Sequence, residues 1–156
     1  IDGLVGQDNS RMLNVYVIDK DAVTHSELIR LILERSGINA TVYPFSNQKE
    51  GIAAVDGLPN TCVFIGVQGN GIDTALGGKP WASYPVNEAI KEIKANSLDS
   101  KVIVFTGGAY SERDAENDGA DGYLNKLKIV SRDESGRFGI AAVIDKTFKH
   151  NINYQT

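Results

Sequence analysis

Short apolar runs recur along this chain at Val15-Tyr16-Val17-Ile18 and at 40–45, 61–65, 101–105 and 122–124, and most of the gaps between them carry a helical pattern. Runs of this length without polar alternation belong to strands buried on both faces. Strands separated by helix-length segments pair in parallel through right-handed crossovers. The spacing therefore predicts an α/β fold, a doubly wound five-stranded parallel sheet with helices on both faces. In such an open sheet, reactive and ligand-binding groups gather beyond the carboxyl ends of the strands, where strand order reverses. The residues to read are then Asp19, Lys20 and Asp21 after the first run, Gly66 after the third, Thr106 after the fourth and Lys126 after the fifth.

The helices follow from period and punctuation. Residues 24–35 place Leu28, Ile29, Leu31, Ile32 and Leu33 near helical spacing, and Ser36-Gly37 supplies the stop. Ser46 reads as the N-cap of a helix running to about 55, and Ser111 as the N-cap of a short polar helix. Residues 86–95 restore the helical pattern, and 136–150 close the chain with Phe138, Ile140, Ala141, Ile144 and Phe148 on one apolar stripe. The stretch 69–85 keeps no period, holds several glycines with Pro80 and Pro85, and reads as a long loop carrying Trp81 and Tyr84. Those two aromatics either form an exposed contact patch or fold back over the next helix. The expected organisation is a flexible lead-in at 1–13, one domain at 14–150, and a tail or the start of a linker at 151–156.

At 156 residues one core is the default. The net charge of −4 argues against nucleic-acid binding, which needs a clustered positive surface. No apolar run approaches the ~20 residues that span a bilayer, and the N-terminal stretch lacks the pattern of a secretory signal. Cys62 is the only cysteine, which removes internal disulfides and cysteine-based zinc clusters, and a cytoplasmic setting is expected. His25 and His150 are expected on the surface, far apart and without metal-ligand spacing. The glycines at 69–71 and 77–78 read as turns, since neither phosphate-loop motif is present.

Two motifs resemble the receiver domain of two-component response regulators. Val102-Ile103-Val104-Phe105-Thr106-Gly107-Gly108-Ala109 is similar to that family's fourth strand, ending in a hydroxyl residue. Gly119-Ala120-Asp121-Gly122-Tyr123-Leu124-Asn125-Lys126 is similar to its fifth-strand signature. The resemblance covers roughly residues 14–150 and implies the flavodoxin-like strand order 2-1-3-4-5. It assigns Lys126 to pair with a phosphoryl group, Thr106 to hydrogen-bond it, and Tyr123 to be the aromatic residue that changes rotamer on activation.

Three departures fall on the chemistry. The family's acidic pair is here Asp19 and Lys20, so one magnesium-binding carboxylate is replaced by an ammonium, and Asp21 could substitute only through a bulge. Gly66 stands where the phospho-acceptor aspartate belongs, and glycine cannot form an acyl phosphate. Leu127 follows the lysine in place of the family's proline, so a trans peptide is expected. Lys20 is either a solvated lysine or an ammonium near Asp19 and Asp21. Lys126 is either paired with Asp19 or exposed. For Thr106 and Tyr123 the competing reading is ordinary packing.

The resulting expectation is a pseudo-receiver: not an enzyme, with no cofactor and no metal, acting through protein–protein contacts without aspartyl phosphorylation. By the resemblance its partner or output domain would engage the face of the fourth helix, fifth strand and fifth helix, residues 111–150, with a homodimer as one option and the charged 128–137 loop enlarging the face. Direct nucleic-acid and membrane contacts are not expected. Two other readings stay open: a phosphorylated receiver with Asp73 as a displaced acceptor, and a flavodoxin-like cofactor binder, although the first strand lacks a Ser/Thr/Gly-rich phosphate loop.

Overall fold

The computed structural model describes residues 12–66, 85–106, 110–132, 134, 136 and 138–148. The loop expected at 69–85, with Asp73, Trp81 and Tyr84, lies outside them except for Pro85, as do residues 1–11, 107–109 and 149–156.

The strands are β1 (Leu13–Ile18), β2 (Ala40–Phe45), β3 (Thr61–Gly66), β4 (Lys101–Thr106) and β5 (Gly122–Asn125). They form one parallel sheet in the order β2-β1-β3-β4-β5, as expected. Burial follows position in the sheet. Every residue of central β3 is buried, whereas β2 is only half-buried and carries Pro44, which an edge strand tolerates because it can forgo a ladder donor.

Side chains alternate across a strand, so the sheet separates two cores. Val15, Val17, Phe64, Ile103, Phe105 and Leu124 pack under α1 (Ala22–Arg35) and α5 (Gly139–Thr147). Tyr16, Ile18, Val63, Ile65, Val102 and Val104 pack under α2 (Gln48–Ala54), α3 (Val86–Asn96) and α4 (Glu112–Asn117).

Helix starts depart from the sequence reading where local hydrogen bonds compete. Helix α1 begins at Ala22, whose N–H donates to the Asp19 carbonyl at 3.1 Å. The cap of α2 is Asn47, not Ser46, and its side chain accepts from the Glu50 N–H at 3.0 Å. Ser111 caps α4 as expected, in a reciprocal box with Asp114, and the Ser111 backbone N–H and hydroxyl hold the Asp114 carboxyl below its usual range.

Helix α5 starts at Gly139, three residues later than the apolar stripe suggests. The preceding loop folds into a tight return: Arg132 bridges Phe138, its guanidinium lies 4.2 Å from that ring's centroid, and it donates to the Gly136 carbonyl at 3.0 Å. A side chain at Gly139 would meet the Lys128 carbonyl oxygen at 2.2 Å, so this close approach of backbones requires glycine. The peptide joining Lys126 to Leu127 is trans.

Candidate functional site

Strand register brings three of the expected residues together. Ile18 pairs with Ile65, so Asp19 comes level with Gly66; Gly66 pairs with Phe105, and Phe105 with Leu124, two residues before Lys126. By alternation, Asp19 shares a face with Val15 and Val17, Gly66 with Phe64, and Lys126 with Leu124, all on the side covered by α1 and α5. Thr106 alternates with Val102 and Val104, and Tyr123 is opposite Val104, so these two belong to the other face. Asp19, Gly66 and Lys126 therefore form a pocket, and Thr106 and Tyr123 a flank.

The pocket centres on Asp19, which is 0% exposed. One carboxylate oxygen, Oδ1, accepts from Lys126 Nζ at 2.8 Å. The other, Oδ2, is 2.8 Å from His25 Nδ1 and accepts from the Asp21 backbone N–H at 3.1 Å. A carboxylate can only accept here, so the imidazole must carry its hydrogen on Nδ1. Phe105 forms the floor: the Lys126 ammonium lies 5.0 Å from its ring centroid, and the His25 ring meets it edge-on, also at 5.0 Å. Lys126 and His25 keep side-chain exposures of only 18% and 19%.

Gly66 holds a different place from the one its missing side chain implies. A Cβ built on it would lie 2.1 Å from Asp19 Oδ1. Real Cβ atoms do not approach an oxygen so closely, so the carboxylate of Asp19 fills the space into which a residue at 66 would project. The space beside Gly66 is occupied by the neighbouring strand's acid.

Of the alternatives left open, Lys126 is the ion-pair partner of Asp19. Lys20 and Asp21 are exposed, and Asp21 reaches the buried carboxylate through its backbone N–H. Thr106 is buried at the end of β4, where it pairs with Asn125. His25, read from sequence as a surface residue, is instead a direct partner of Asp19. A signal for it existed in the pattern: position 25 falls three after Ala22 and four before Ile29, on the buried stripe of α1.

On the flank, the Tyr123 hydroxyl donates to the Tyr110 carbonyl at 2.8 Å, and the Tyr110 hydroxyl donates to Asp118 Oδ2 at 2.5 Å. Burial, then the Asp118 carboxylate, push the Tyr110 phenol well above its ordinary pKa. The fifth-strand motif contributes Asp121, whose Oδ2 accepts from the Val102 N–H at 2.9 Å and from Lys94 Nζ at 2.7 Å, fastening α3 and β4 to the start of β5. Between α4, β5 and α5 lies a groove of about 340 Å³, floored by Ala115, Leu124 and Val143 and rimmed by Glu112, Glu116 and Lys146.

No protein-family model matches the chain, and no curated protein matches it. Solved structures do. A CheY-like response regulator receiver domain protein from Methanospirillum hungatei JF-1 matches with a TM-score of 0.53 at 18% identity, over 90% of this chain and 99% of that one. FixJ-N matches at 0.59 and 12% identity, over 90% and 97%. A DNA-binding response regulator of the LuxR family from Staphylococcus aureus matches at 0.57 and 16%, over 89% and 98%. The chain has the fold of response-regulator receiver domains. At these identities the likeness speaks for the fold, and function has to be argued from the site.

Proposed function

We propose that the chain is a pseudo-receiver, a signalling module of the two-component type that works through protein contacts and is not switched by phosphorylation of an aspartate. One observation carries this reading: the space above Gly66 is filled by the Asp19 carboxylate, already neutralised by Lys126 at 2.8 Å. A phosphoryl group needs an attacking carboxylate and a free ammonium to receive its charge. Here the ammonium is engaged and the strand-three carboxylate is absent. The module is not an enzyme in this reading and works in the cytoplasm.

Incubating the chain with a small acyl-phosphate donor and magnesium, followed by intact-mass measurement, should give no gain in mass. A gain of one phosphoryl group would refute the proposal, and its loss in Asp73→Asn would move the acceptor to that residue.

The surface best suited to a partner is the α4–β5–α5 groove, apolar along its floor and charged at its rim. A covalently attached output domain, as in a transcription regulator, a separate partner or a second copy of the chain would each engage it there. Lys146 and Glu116 are exposed, so reversing their charges leaves the core intact. A partner recovered by the unmodified chain should be lost, or weakened about tenfold or more, by Glu116→Lys with Lys146→Glu. Undiminished binding by that variant would place the contact on another face.

A further inference from the structure

The receiver fold implies a magnesium ion at the strand ends, and the residues here do not fit one. Magnesium asks for oxygen ligands in a near-octahedral shell at about 2.1 Å. Asp19 is the buried carboxylate at this position, and both of its oxygens are occupied: Oδ1 by the Lys126 ammonium, Oδ2 by His25 Nδ1 and the Asp21 N–H. At the end of strand three Gly66 offers no side-chain ligand, and that same carboxylate takes up the space a side chain there would enter. Among the described residues, no group of three or more His, Cys, Asp and Glu side chains is placed to hold a metal ion.

We propose that the pocket is closed to divalent cations and that His25 is the residue that closes it. Lys126 alone would engage only Oδ1. The Nδ1–H of His25 takes the second oxygen, and its ring stands edge-on to Phe105, which fixes it at the mouth of the pocket on the first turns of α1. In place of a metal bridging carboxylates, one carboxylate ties three elements together: the end of β1, helix α1 through His25, and the end of β5 through Lys126. The tie consists wholly of this chain's own side chains and needs no metal ion to form. This inference stands apart from the proposed function, because a chain that never accepts a phosphoryl group could still bind a cation.

The test uses manganese(II) chloride on the full chain, read by thermal unfolding and by paramagnetic broadening of the Phe105 and Leu124 amide resonances. The unmodified chain should show neither a shift in Tm nor selective broadening. His25→Asp removes the donor and sets a second carboxylate beside Oδ2, so it should be less stable without metal. It should regain about 4 °C in Tm once manganese exceeds its Kd tenfold, with broadening at the same amides. His25→Ala, which leaves Oδ2 with the Asp21 N–H as its remaining partner and adds no charge, should broaden at higher manganese and carries the test if His25→Asp does not fold. A saturable response in the unmodified chain would overturn the proposal. So would folded His25 variants as insensitive to manganese as the parent. Either failure, seen without a phosphoryl mass gain, would leave the phosphorylation-independent reading intact.

Discussion

Lys126→Met should cost the fold about 3–5 kcal/mol, the loss expected when one partner of a buried ion pair is removed and its counter-charge stays behind. Asp19 is fully buried, and its Oδ1 meets the Lys126 ammonium at 2.8 Å. Methionine keeps the stem over Phe105, so packing changes little and the effect isolates the charge. His25 and the Asp21 N–H would remain on Oδ2, but nothing would compensate Oδ1. Asp19→Asn with Lys126→Met should recover much of the loss, because the buried charge goes with its partner and the amide still accepts from His25. Urea unfolding of the two single variants and the double would measure the coupling. A Lys126→Met loss below about 1 kcal/mol would mean that water, not the ammonium, supports Asp19. The cycle also separates two claims that the geometry alone leaves merged. The pair can be expensive to break without making the fold more stable than an apolar core would, since desolvation offsets the attraction.

The sheet was legible because its signal is redundant. Each apolar run names a buried strand, and strand-end residues follow from chain direction alone, which singles out Asp19, Gly66, Thr106 and Lys126. The division of those residues between two faces was also latent in the sequence: parity from the buried runs sends Asp19 and Lys126 to one side and Thr106 to the other, once register is known. Register between non-adjacent strands is a property of the packed sheet, and no local pattern carries it. His25 was missed for a related reason. A lone histidine without metal-ligand spacing reads as a surface residue, and its partner is six residues back across a turn whose path depends on where α1 begins. The period puts that start at Thr24, whereas the Ala22 N–H bond to the Asp19 carbonyl starts the helix two residues sooner and fixes the turn between Asp19 and His25.

The meaning of Gly66 changed most, because absence of a side chain in a sequence says nothing about what fills the space. Gly66→Ala should destabilise the fold by about 2–4 kcal/mol, more than overpacking by one methyl ordinarily costs. The added carbon would stand 2.1 Å from Asp19 Oδ1, with the carboxyl carbon at 3.0 Å, and backbone on both sides leaves only the Asp19 side chain to give way. Moving it stretches the contacts to Lys126 and His25 together, so the steric cost is compounded by an electrostatic one. Gly66→Asp should be worse still, since it forces a second carboxylate against the first with one ammonium between them. It should also fail to take a phosphoryl group from an acyl-phosphate donor, as Asp19 retains the lysine that would have to receive the phosphoryl charge. Asp19→Ala combined with Gly66→Asp relieves the overlap and offers Lys126 a carboxylate at position 66, so the double variant should be more stable than Gly66→Asp alone. Denaturant unfolding and intact mass on the same three proteins decide between the readings. A Gly66→Asp protein as stable as the parent and strongly labelled would mean that the acceptor was merely deleted; a fold rescued only when Asp19 is removed as well would show that the acid of strand one has taken its place.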